Sequence, residues 1–232
     1  MSTISALKST LLLAWAALLV AGCSSAPTRE ETHTDVDQAE KTLSDFLRDP
    51  QMTWLQTHIH EAKAVMVSPS ILQAGFVIGG SGGQVLVIAR SRSGTGWNGP
   101  AFYKMGTGSI GLQAGAQKAE MVALVMNEKA LNSLLSTSFK LGGEVSIAAG
   151  PIGAGAAGQV ASDIVTFTRN KGLYGGINLA GSVVTVDDKK NAAFYGRTAT
   201  PVDILVEHSA VNPYGERLGH VASAGVHTPP MK

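Results

Sequence analysis

Cysteine is nearly missing from this chain of 232 residues, with Cys23 as its one example. No disulfide can form within it, and zinc sites built on paired CxxC motifs are excluded. Charge is scarce too. Asp, Glu, Lys and Arg make up 15% of the residues, against roughly 25% in typical domains. The formal net charge is only +1, so there is no basic excess of the kind that marks a nucleic-acid partner. No HExxH motif is present, and no glycine cluster is followed by a P-loop lysine.

Residues 44% hydrophobic and 27 glycines remain, a composition that fits a turn-rich β protein with modest helix content. Near the start, Leu11 to Val20 is an apolar run preceded by Lys8. It is too short to span a bilayer and has the length of a secretion-signal core. It ends in Val20-Ala21-Gly22-Cys23, which resembles the lipobox of bacterial lipoprotein signal peptides. The expectation is a signal peptide over residues 1–22, with Cys23 as the acylated first residue of the mature chain. Several acyl chains, each contributing about 0.8 kcal/mol per buried CH₂, would hold it at a membrane without a spanning helix. Ser24 rather than Asp follows the cysteine, which resembles the outer-membrane sorting pattern, so the expected location is the periplasmic face of the outer membrane. Residues 23–37 are polar and read as a flexible tether.

Beyond the tether, Leu43, Phe46 and Leu47 share a helical face. A second helix starts at Asp49-Pro50 with Leu55, Ile59 and Ala62 as its stripe. His58 and His60 sit two apart on it, on roughly opposite sides, which makes a poor metal pair and reads as surface histidine. Apolar runs at Gly75–Ile78 and Val85–Ala89 flank Gly79-Gly80-Ser81-Gly82-Gly83, read as a hairpin with a flexible loop. The chain is organised around the glycine-paced stretch from Trp97 to Gln117, in which Ile110, Leu112, Ala114 and Ala116 alternate with Ser109, Gly111, Gln113 and Gly115, the period of a strand whose glycines mark a bend or close backbone approach. Met121–Met126 reads as its hairpin partner. Asn127 caps a helix to about Leu135, and further strands follow around Ile147, over Asp163–Arg169 and over a long stretch from Leu173 to Val183. A short helix is expected near Val202–Glu207. The fold class is α+β, mainly antiparallel β: a single barrel- or sandwich-like sheet with a few short peripheral helices. The domain is expected over residues 38–211, with a mobile tail over 212–232.

Two literal motifs carry little chemistry. Gly106, Gly108 and Gly111 spell GxGxxG, but a strand-like run follows where a dinucleotide site needs a helix. Gly79–Gly83 spells GxSxG, with Asp163 and His208 in hydrolase order. That motif must feed a helix, and here it feeds Val85–Ala89. A serine hydrolase at Ser81 stays open as the less favoured reading. The loop carrying Arg90, Arg92 and Trp97, with Lys104 just beyond, pairs guanidiniums suited to phosphate with an interfacial indole. The helix bearing Trp54 and Lys63 is a rival lipid-contact element.

Several ordered blocks resemble the SYLF domain family. They are Ala74–Gly80, Trp97 with Pro100–Tyr103, Gly108–Gln117, Val125–Asn127, Ala149–Gly153, Lys171–Gly176 and Phe194–Gly196. Ala180 departs from the pattern, since members often carry an acidic residue before Gly181. The resemblance implies lipid binding: eukaryotic members bind phosphoinositides, and some bind actin. For this chain the expectation is a non-catalytic lipoprotein that binds anionic phospholipid, without a cofactor. An envelope protein partner is the alternative.

Overall fold

The computed structural model describes residues 26–170, 173–174 and 179–225, giving the backbone alone at 75–78, 109–115 and 173–174. The expected signal peptide, Cys23, the Lys171-Gly172 turn and Gly175–Asn178 of the expected long strand lie outside the described residues.

Two long strands dominate: β1 (Ala64–Arg90) and β2 (Trp97–Val125). They pair antiparallel from Ala64 opposite Val125 to Arg90 opposite Trp97. Such a ribbon is far longer than one sheet layer, so it bends. Register irregularities set Pro69 and Ser70 against Glu120, Phe76 against Leu112–Ala114, and Ile88 against Gly99 and Pro100. Each is a bulge that turns the strand. The two halves of β1 thus return side by side. The Arg90 N–H donates to the Lys63 carbonyl at 2.8 Å, and Ser68 Oγ donates to the Gln84 carbonyl at 2.6 Å. A Cβ on Gly83 would stand 2.5 Å from the Ser70 carbonyl, so this crossing needs glycine.

β2 is the hub. Its outer edge pairs with β5 (Ile164–Asn170) over Ala119–Val125 and with β7 (Val183–Val186) over Tyr103–Gly106. β3 (Ser138–Lys140) adds to β7, β4 (Ile147–Ala149) runs parallel to β5, and β6 (Leu173–Tyr174) closes back on β5. Among the described residues the result is one curled, seven-stranded sheet, a half-barrel. The expected α+β, mainly antiparallel class holds. Glycines 79–83 are not a hairpin loop, however. They are paired strand, opposite Ser109 to Met105, because the true turn is Ser91–Gly96. Likewise Met121–Met126 does not fold back on the stretch from Trp97, since β2 runs on to Val125.

Strand alternation builds two cores. Met66, Val87, Tyr103 and Met121 point to the inner face, with Leu134 of α3 (Glu128–Leu134) and Phe139. Val67, Leu86, Phe102 and Val122 point outward under three helices: α1 (Arg29–Arg48), α2 (Thr53–His58) and α5 (Pro213–Ala224). The helix α4 (Asp188–Tyr195) was not expected. Its buried Asn191 accepts from the Phe102 N–H at 2.9 Å and donates to its carbonyl at 3.3 Å, as a neighbouring strand would.

Two terminal expectations are corrected. The tether read over 23–37 is helix from Arg29 onward. Thr28 and Glu31 form a reciprocal capping box, and Val36, Ala39, Leu43 and Phe46 bury one stripe. The tail read as mobile over 212–232 is, as far as Ala224, the helix α5, capped by Asn212 with Pro213 in its first turn, and residues 226–232 lie outside the described residues. Gly215 and Gly219 let it lie against Pro100 and Trp97, and Leu218 and Ala222 are buried.

One carboxylate ties three elements together. Asp163 accepts from Asn127 Nδ2 at 2.7 Å, the Ser146 N–H at 2.7 Å and Lys129 Nζ at 3.2 Å. These bonds, led by that from Asn127, hold its pKa well below the ordinary carboxylate range. A depressed folded pKa adds stability that is full above the unfolded value of about 3.9 and is lost as pH falls toward the folded one. In Asp163→Asn, stability measured by urea unfolding is therefore lower at pH 7 and falls less steeply from pH 5 to pH 2 than in the native chain.

Candidate functional site

The residues read as lipid contacts meet different fates. Trp54 is only 2% exposed. Its indole N–H donates to the Gly158 carbonyl at 2.7 Å, and His58 stacks on it at 3.9 Å. This corrects both readings of that helix: Trp54 is core, and His58 is its lid rather than a free surface histidine. Lys63 pairs with Glu128 at 3.2 Å, and Lys104 with the buried Asp187 at 2.9 Å. Arg90 donates to the carbonyls of Ala62 and Ile59 at 3.1 and 3.2 Å and lies 4.3 Å over the Trp97 ring. Burial lowers its pKa, but those carbonyls and the ring face occupy the guanidinium. Trp97 in turn packs on α5 at Gly219. Of the turn's expected contacts, Arg92 alone is fully exposed, beside the hydroxyls of Ser91, Ser93 and Thr95.

Ser81 lies within β1, paired with Thr107. Asp163 is engaged by α3 and Ser146, and His208 sits in an exposed loop with φ 52°. The three are not assembled as a triad. Among the described residues no group of three or more His, Cys, Asp or Glu could hold a metal, and no helix is long and apolar enough to cross a membrane.

The feature that stands out is the ribbon itself. β7 leaves β2 at Gly106 and β5 joins it at Ala119. Between them, Thr107–Lys118 has β1 as its named partner strand, across Leu72–Ser81. Among the described residues neither β5 nor β7 pairs with this stretch, and the two strands run through it together and bend at the Phe76 irregularity, forming an arch. No charged residue occurs from Ala64 to Ala89 or from Met105 to Gln117. The arch carries Leu72 at 60% exposure, and Phe76, Val77, Ile78, Ile110 and Leu112 fall at or near its apex by register. Gln73 and Gln117 bond across the strands at 2.6 Å. At its foot stand exposed Lys104 and Lys118, with Lys140 on β3 two strands from Gly106. Below it is a cleft of about 260 Å³ between Asp35 and Gln38 of α1 and Ser70, Leu72 and Gly83 of β1.

A family model described as Ysc84, Las17-binding protein actin regulator, matches residues 106–224. The chain belongs to this family. Protein YSC84 of Saccharomyces cerevisiae is 27% identical over 204 residues, covering 83% of this chain and 43% of the yeast protein. LAS seventeen-binding protein 3 of the same yeast is 29% identical over 192 residues, 77% of this chain and 41% of the relative. SH3 domain-containing YSC84-like protein 1 of Homo sapiens is 24% identical over 188 residues, 77% and 55%. The chain thus spans about two fifths to about half the length of the relatives it matches. The matched Ysc84 region opens where β2 leaves the sheet and ends with α5, so that helix belongs to the domain.

Sequence reasoning named the glycine-paced stretch as the organising one but missed that it forms an arch. The missing charges over both strands were the available signal. The burial of Trp54 separates core from contact surface by experiment: Trp54→Ala lowers the unfolding free energy by about 3–5 kcal/mol, measured by chemical denaturation.

Proposed function

We propose that this Ysc84-family chain is a non-catalytic, membrane-anchored module that binds anionic phospholipid, with the arch as its contact. The observation that carries the reading is an arched ribbon free of charge on both strands and flanked by exposed lysines. Exposed apolar patches of this kind mark partner or membrane surfaces. The lysines add attraction to anionic lipid, about 1 kcal/mol each near such a surface. Depth is limited by the backbone. The outer edges of a two-stranded ribbon carry unpaired N–H and C=O groups, and each costs several kcal/mol in hydrocarbon. The arch therefore lodges at headgroup depth, where water and phosphate satisfy those edges. Acylation of Cys23, on the periplasmic face of an outer membrane, would supply the permanent attachment.

A second reading rests on the same free edge. A protein partner could add a strand to β2 along Thr107–Lys118, and the names of the yeast relatives record a protein partner of theirs. Vesicle flotation of the unacylated chain from Ser24 onward decides between them. Recovery is expected with phosphatidylglycerol vesicles and much less with phosphatidylcholine; Leu72→Asp reduces it about tenfold, the loss of one apolar side chain's transfer, and Lys118→Glu reduces it by a similar factor through charge reversal at about 1 kcal/mol per charge. Failure to float on either vesicle favours the protein partner.

A further inference from the structure

We infer that the arch and the acyl anchor engage one and the same bilayer, and that the Arg90–Trp97 turn points away from it. This rests on the lipid-binding reading above and on acylation of Cys23.

The helix nearest the anchor runs along the rim from which the arch rises. At its start, Arg29 lies against Gly196. Asp35, two turns in, pairs with Lys190 and lines the cleft at the foot of the arch together with Gln38. Farther along, Asp45 and the Phe46 ring reach Arg169 of β5, next to the residue that opens the other foot, where Asn170 faces Ala119. α1 thus crosses the strands just beneath both feet.

α5 lies on the other side of α1. It runs in the same direction, since Tyr214 bonds Asp37, Arg217 bridges Asp37 and Glu40, and Gly225 meets Leu47. Its other flank rests on Pro100 and Trp97. α5 therefore separates α1 from the turn. From the arch foot at Gly83 to Arg90 the strand runs about 23 Å at roughly 3.3 Å per residue.

Reach limits the orientation, and charge then selects it. Cys23 stands six residues before Arg29, a span of at most about 20 Å. A cysteine held in the bilayer keeps the α1 rim close to the surface. Charge agrees with this. Three acidic groups along that rim are matched, Asp35 by Lys190, Asp187 by Lys104, and Glu120 by Arg169, while Glu30 and Glu31 in the first turn of α1 are exposed. Lys118 and Lys140 remain exposed there. The alternative pose, with the turn in the bilayer, would lift the charge-free arch into water.

The acylated full chain, reconstituted in phosphatidylglycerol-containing vesicles, tests this with a single fluorophore at Gly108→Cys or at Arg92→Cys, Cys23 being blocked by its acyl group. A Cβ at Gly108 meets nothing within 4 Å, and Leu72→Cys gives a second arch label should the first disturb pairing. Spin-labelled lipid is expected to quench the arch labels several-fold more than the label at position 92. Equal quenching, or stronger quenching at position 92, overturns the orientation. Absence of flotation by the unacylated native chain defeats the lipid reading itself, which keeps the two failures apart.

Discussion

The pairing of β1 with β2 over their whole length is the constraint from which the rest follows. Two strands that long cannot both stay in one sheet layer, and their backbones must remain hydrogen-bonded wherever they go. The chain meets both demands by bending the ribbon at bulges. The lower parts of each strand become four neighbouring tracks of the half-barrel, and the surplus leaves as the arch. β5 and β7 then attach only where the ribbon lies in the sheet. The helices are placed by what is left uncovered: α1, α2 and α5 close the outer face, while α3 and the short π-helix at Val202–Val206, expected as a helix near Val202–Glu207, plug the inner one.

Much of this was legible in the residues. The alternation after Gly106 marked β2, Asn127 marked the cap of α3, and the apolar runs at Val85–Ala89 and Ile164–Phe167 marked core strands. What escaped had physical causes. Glycines 79–83 read locally as a loop, yet pairing with a distant strand overrode that preference, as tertiary context does. Thr28 and Glu31 carried a capping signature, but the first turns of α1 have few apolar residues, since that helix buries a narrow stripe. α4 has almost no amphipathic pattern because its role is polar: Asn191 completes the backbone of Phe102. The contact residues were least legible. Arg90, Lys63 and Lys104 have the chemistry for phosphate, but whether a cation meets a headgroup or a neighbouring carbonyl depends on folds of the chain that spacing does not reveal.

The arch joins fold and function. A feature that excludes charge over two long segments while keeping its backbone paired is poorly suited to acid–base chemistry and well suited to meeting an interface. The Ysc84 match takes in the β2 strand of the arch, Thr107–Lys118, and the relatives from yeast and human are longer proteins with parts this chain does not match.

Hydrogen exchange is the most direct test of the arch as a contact surface, because its outward-facing amides have no strand partner among the described residues and exchange readily until something covers them. With anionic vesicles present, amides within Leu72–Gly82 and Thr107–Lys118 should slow by tenfold or more while those of Ser91–Gly96 stay unchanged. Protection confined to Ser91–Gly96, with the arch exchanging as it does in buffer, would contradict the account.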